Sequence, residues 1–263
     1  MEIENIIAYT LTFQHGAEEI GVVFSVSRCC AEKERGAGLL DSNQEFLNQF
    51  LNQFFNQKEK EHIKTFKYEK RLRSFLLGRH AAKIAVGKLI NSQKYSQIVI
   101  ENGVLHQPVV YLCENTYRDG GARISISHSD WEGAALAYPQ KAVMGIDIER
   151  IDSEKDRLIL KIITPAEREM VHKSAGDAHD LLALLWSARE ALSKCVNTGF
   201  TVPMEYFEIK DVAVDQNMYA GAFKNFFQYR FTGIKWRGCI ITLVYPKKMV
   251  LDAESESFLK SLA

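Results

Sequence analysis

Leu76-Leu77-Gly78-Arg79-His80-Ala81 is echoed further along the chain by Trp186-Ser187-Ala188-Arg189-Glu190-Ala191. Both windows sit in stretches with helical periodicity, and both follow charged or polar segments. The identities are few, but their placement fits two similar α/β halves in one chain. Around the first window, Ser74 to Ile90 reads as a helix with Phe75, Leu76, Ala82, Ala85, Val86 and Leu89 as its buried stripe. Around the second, Asp180 to Val196 reads as a strong helix.

Outward from these helices the pattern turns to strands. Ile3 to Phe13, Gly21 to Ser27, Gln97 to Ile100, Val109 to Leu112, Arg123 to Ser127, Ala134 to Ala137 and Val143 to Ile148 are strand-like. So are Phe226 to Phe231 and Cys239 to Tyr245, and Glu254 to Ala263 reads as a short helix or frayed tail. The repetitive Phe46 to Gln57 segment places its Phe and Leu residues on one helical face, with Ser42 and Glu45 spaced as a capping box before it. Thr164-Pro165-Ala166-Glu167 predicts a second capped helix start, with proline at the first helical position. Tyr138-Pro139-Gln140 is a turn signal and the predicted boundary between a half spanning 1–139 and a half spanning 140–263.

Composition excludes several classes. The chain has 263 residues, 46% hydrophobic and 25% charged, as in ordinary globular proteins. Its 33 basic and 33 acidic residues cancel, which argues against a general nucleic-acid binder. The five cysteines are irregularly spaced and lack a C-x-x-C, so neither a disulfide framework nor a zinc site is implied. No basic-then-apolar leader opens the sequence, and the apolar run from Leu181 to Trp186 is too short to cross a bilayer. The expectation is a cytoplasmic protein without a membrane partner. Lys58 to Arg73 is rich in charge and biased to positive; such a run is ordinarily a solvated helix face, and a phosphate-facing role is the alternative.

Three segments carry chemistry. In Gly145-Ile146-Asp147-Ile148-Glu149, residues two apart on a strand share a face, so Asp147 and Glu149 project together. Water at a sheet edge would relieve their repulsion; with a buried neighbour a cation is the better answer. Magnesium, which prefers a few carboxylates with phosphate oxygens and waters, suits such a pair. In the helix from Trp186 to Lys194, Trp186, Glu190 and Lys194 line one face. Glu190 and Lys194 form either an ordinary helical ion pair or, with Arg189 adjacent, part of a site for a metal and a pyrophosphate. In Ile124-Ser125-Ile126-Ser127-His128-Ser129 a histidine stands between hydroxyls at the end of a strand, where ligand contact is favoured over core packing.

Taken in order, SISHS, GIDIE and WSAREALSK resemble the motifs of 4′-phosphopantetheinyl transferases, specifically the surfactin-type class with two pseudo-repeated halves. Arg71-Leu72-Arg73-Ser74-Phe75-Leu76-Leu77-Gly78-Arg79, followed by Ala81-Ala82-Lys83, is similar to that family as well, so the resemblance spans about Lys58 to Lys194. It implies an α+β pseudodimer, each half a small, mostly antiparallel sheet packed on a long helix. It implies transfer of the phosphopantetheine arm of coenzyme A to a serine of an apo acyl or peptidyl carrier protein, with release of 3′,5′-ADP. By the resemblance, Asp147, Glu149 and Glu190 hold Mg²⁺; Glu190 takes the serine proton; Lys194 steadies or protonates the leaving phosphate. Ser127 and His128 contact coenzyme A phosphate, while Arg71, Arg73, Arg79 and Arg189 are further phosphate or carrier contacts. A monomer is implied too.

Two departures from the family pattern stand out. Gln107 precedes Pro108 where the family often has Lys or Arg, and Arg189 stands where it usually has Lys. The competing reading from another class is a catalytically idle homologue that binds coenzyme A or a carrier as a scaffold. The carrier served, whether in fatty-acid, polyketide or peptide synthesis, is not specified by these residues.

Overall fold

The structure, a computed structural model, describes residues 3–29, 44–113, 117–174, 176–199 and 201–263. It is an α+β protein with two antiparallel sheets and, among the described residues, seven α-helices. The chain divides into two compact units, one of residues 1–10 and 21–140, the other of residues 11–20 and 141–263.

The first unit contains most of strands β1 (Ile3–His15) and β2 (Glu18–Cys29), which turn through Gly16 at φ +64. Helices α1 (Gln44–Phe54), α2 (Gln57–Ile63) and α3 (Glu69–Leu89) follow, then β3 (Ile98–Asn102), β4 (Pro108–Cys113), β5 (Tyr117–His128) and β6 (Glu132–Pro139). The strand order is β1-β2-β6-β5-β4-β3. Ala81, Ala82, Ala85 and Val86 of α3 pack on Ile98, Val110, Ile124, Ala135 and Ala137 of this sheet. The small side chains let the helix lie close. At Gly133 of β6 the approach is so tight that a methyl group would land on the Leu77 carbonyl.

Two helix boundaries differ from the sequence reading. The helix carrying the Phe-Leu repeat stops at Phe54, because Asn56 starts a new one with its own capping box: its side chain accepts from Glu59 N at 2.8 Å and Glu59 returns the bond to Asn56 N at 3.0 Å. The proposed Ser42 cap lies outside the described residues. Helix α3 begins at Glu69 rather than Ser74, since Leu72 extends the stripe that continues at Leu76; dense surrounding charge hides that single apolar residue.

The second unit begins its long segment with β7 (Gly145–Arg150), followed by α4 (Ser153–Ile162), α5 (Pro165–Lys173) and α6 (Ala178–Cys195). Strands β8 (Ile209–Asp215), β9 (Met218–Phe223), β10 (Tyr229–Trp236), β11 (Cys239–Pro246) and β12 (Val250–Leu251) come next, then α7 (Ala253–Leu262). Its five-stranded sheet runs β7-β11-β10-β9-β8. Residues 11–20 belong here by their pairing: Phe13 and Gln14 partner Leu251 and Val250, and Thr12 N donates to Ser255 Oγ at 2.8 Å.

Helix α5 starts with Thr164 as cap, Pro165 in the first turn and Glu167 closing the box, as its sequence requires. The strand expected from Phe226 begins instead at Tyr229, because Phe226 is a turn residue that stacks on Phe207 with ring centroids 5.6 Å apart. Helix α4 has no counterpart in the sequence reading; it buries only Asp156 and Ile159, too thin an apolar face to register. No helix among the described residues is long and apolar enough to cross a membrane.

Candidate active site

In the second unit the site begins with a glycine. A methyl group at Gly145 would land on the Ala191 carbonyl, so this face of β7 is the one α6 covers. Strand alternation then turns Asp147 and Glu149 toward α6 as well, while Ile146 and Ile148 are buried on the opposite face. Two carboxylates are thereby held beneath a helix. Asp147 is buried, and its Oδ1 accepts from Lys194 Nζ at 2.7 Å. Glu149 pairs with Lys155 of α4.

Glu190, one turn before Lys194 on α6, feels both carboxylates. Burial, with Asp147 and Glu149 adding to it and Lys194 opposing, pushes its carboxyl up to about 7. Burial likewise raises Glu149, against the pull of Lys155. The result is a half-buried acid among fixed charges that exchanges its proton near neutral pH.

Among the described residues no group of three or more His, Cys, Asp or Glu side chains is arranged to hold a metal ion, so Asp147, Glu149 and Glu190 do not stand as a preformed magnesium cage. Lysines occupy that electrostatic role at Asp147 and Glu149. The donor chemistry nevertheless fits magnesium, which commonly takes one or two protein carboxylates and completes its shell with phosphate oxygens and water.

Arg189 departs from the expectation placed on it. Its side chain is fully buried, with one guanidinium nitrogen 2.5 Å from both carboxylate oxygens of Glu167 and another donating to Leu185 O at 3.0 Å. Glu167 is equally buried and also accepts from Ile209 N at 2.8 Å. Arg189 therefore joins α6 to α5 and β8, pointing into the core rather than toward a phosphate. Adjacent residues on a helix project about 100° apart, so Glu190 at the site and Arg189 in the core follow from one helix.

The first unit holds a cavity of about 800 Å³, lined among others by Tyr68, Lys70, Arg71, Phe75, Arg79 and His128. Cations interleaved with aromatic rings suit a flat anionic ligand. Along β5, Ile126 and exposed His128 line it, whereas Ser127 is buried on the alternate face; the expectation that Ser127 contacts the ligand is corrected by this parity. Arg73 is redirected too. Its guanidinium lies 3.8 Å from the Trp131 ring centroid, and its Nε donates to Asp130 O at 2.9 Å, which fixes the turn after His128. Gln107 turns away to cap the β3–β4 connection, its Oε1 accepting from Leu105 N at 2.9 Å. The motifs passed over Phe66, Tyr68 and Asn102, which also line the cavity; two aromatic residues inside a basic run were the available signal.

Comparison with known proteins places this geometry in context. Residues 143–244 match the model of the 4′-phosphopantetheinyl transferase superfamily, a segment that contains β7, α6 and the acidic cluster between them. The chain is also 37% identical over 76 residues to a holo-[acyl-carrier-protein] synthase of Levilactobacillus brevis; the alignment covers 26% of this chain and 62% of that relative's length.

Proposed function

We propose that the protein transfers the phosphopantetheine arm of coenzyme A to a serine of an apo acyl or peptidyl carrier protein, releasing 3′,5′-ADP. The observation that carries this reading is the convergence of Asp147, Glu149, Glu190 and Lys194 between β7 and α6. The superfamily match over the same residues supports it. Surfactin-type organisation, with two halves dividing near residue 140 and residues 11–20 counted with the second, and a monomeric, cytoplasmic enzyme belong to the same proposal.

Phosphoryl transfer asks mainly for alignment and charge neutralisation. Asp147 and Glu149, with Glu190, supply oxygen ligands of the kind Mg²⁺ accepts. Bound there, Mg²⁺ would neutralise charge on the pyrophosphate oxygens. Glu190 takes the proton from the carrier serine as its oxygen bonds to the β-phosphorus. The bond from that phosphorus to the leaving 3′,5′-ADP oxygen breaks, and Lys194 neutralises or protonates that oxygen. Arg71, Arg79 and His128 bind phosphate groups of coenzyme A in the first unit's cavity. Arg73 and Ser127 are positioning residues for the His128 turn, and Arg189 holds α6 in place.

The test is to mix the protein with Mg²⁺, coenzyme A and a panel of apo-carriers and read the intact carrier masses. A gain of one phosphopantetheine on a carrier supports the reading. No gain on any fatty-acid, polyketide or peptide carrier, with the protein shown to be folded, favours a binding scaffold instead.

A further inference from the structure

A second cavity, about 680 Å³, lies wholly within the second unit and has no part in the chemistry above. It falls in the size range of small-molecule pockets, about 300–1,000 Å³. Its walls are Val143, Phe227, Tyr229 and Met249, with Ile20 from the β1–β2 turn region. Phe227 is 75% exposed, a large aromatic face left open to solvent beside this hollow. Lys247 and Lys248 stand on the rim, with His15 and Lys141. No carboxylate is among the described residues lining it; the nearby Glu18 is held by Lys141.

The hollow is built rather than incidental. Lys247 N donates to Gln228 O at 2.7 Å and Met249 N to Pro246 O at 2.9 Å, which fixes the backbone bearing both rim lysines. Beneath, Cys195 Sγ contacts Val143 O at 3.4 Å, joining the end of α6 to one wall. An apolar hollow under a one-signed rim selects a molecule with an apolar body and an anionic head. A purely polar anion would leave the walls wet, and a cation would meet repulsion.

From this juxtaposition of an aromatic-lined hollow with paired rim lysines, we infer that the second unit carries a binding site for a linear aliphatic carboxylate. The ligand's chain lies against Phe227, Val143 and Met249, and its carboxylate pairs with Lys247 and Lys248. The inference does not depend on the proposed transferase activity.

Titration calorimetry of the full chain with decanoate, hexanoate and decyltrimethylammonium, all kept monomeric, tests it. Decanoate binds at one site, hexanoate at least about tenfold more weakly because four methylenes are lost, and the cationic amphiphile does not bind there. The double variant Lys247→Glu/Lys248→Glu and the single variant Phe227→Asp, all at solvent-facing positions, each weaken decanoate by about tenfold or more. Circular dichroism checks that both remain folded. Equal binding of decyltrimethylammonium, or unchanged decanoate binding in both variants, overturns the inference. So does a result in which decanoate never binds but the lysine variant loses affinity for an apo-carrier, since the face would then dock a protein.

Discussion

Replacing Arg189 with methionine separates the two roles that this residue could have. In the structure its guanidinium and the Glu167 carboxylate are both fully buried, and Glu167 also receives the Ile209 amide. Removing the cation leaves a buried carboxylate without its charge partner, an event that costs about 3–5 kcal/mol. Against a typical domain stability of about 5–15 kcal/mol, that is a large loss but not a certain unfolding. Urea denaturation of Arg189→Met and of the double variant Glu167→Gln/Arg189→Met measures it. The single variant loses about 3–5 kcal/mol, and the double variant recovers part of this because no uncompensated charge remains. At temperatures where the single variant is folded, its KM for coenzyme A stays within about twofold of the parent, since no phosphate contact is lost. A variant that keeps its stability but shows a tenfold higher KM would refute the reasoning and restore Arg189 to the ligand.

Acid stability reports on His80, which lies buried against Phe54 and Phe50 with its Nδ1 2.8 Å from Ser27 Oγ. Burial depresses the imidazole from 6.5 to about 4, so the unfolded chain binds a proton that the folded chain refuses between those values. Stability is therefore lost as pH falls from about 6.5 toward 4, by up to about 1.4 kcal/mol per pH unit. His80→Asn, which preserves an acceptor near Ser27, shows a shallower loss in urea titrations from pH 7 to 4; equal slopes would remove His80 from the account. Gly145→Ala pushes a methyl group onto the Ala191 backbone and must displace α6 from β7, so about 1–3 kcal/mol of stability is lost. Turnover falls as well, because the displacement separates Lys194 from Asp147. Thermal unfolding and carrier-mass kinetics measure both, and a fully active Gly145→Ala variant would contradict the close-packed site.

Much of the fold and part of the site could be read directly from sequence because the determining interactions are local. Strand alternation alone puts Asp147 and Glu149 on one side of β7, and Thr164-Pro165-Ala166-Glu167 specifies a helix start within four residues. The same parity rule applied to β5 separates Ser127 from His128, a consequence the motif itself obscures. What could not be read depends on partners distant in sequence. Arg189 looks like a ligand-binding cation until α5 delivers Glu167, and Arg73 does so until the turn after β5 delivers Trp131. Residues 11–20 continue a regular strand pattern, and only the late β12 pairing assigns them to the second unit. Phe226 has the composition of a strand residue, yet its role is set by a ring stack with Phe207.

The most direct test of the acidic cluster is the single-turnover rate of arm transfer to a carrier by Glu190→Gln, compared with the parent protein at saturating Mg²⁺ and coenzyme A. Loss of the proton acceptor without loss of the fold should slow transfer by about 10²–10⁴-fold. A folded Glu190→Gln protein that transfers the arm at the parental rate would contradict the assignment of this cluster as the catalytic centre.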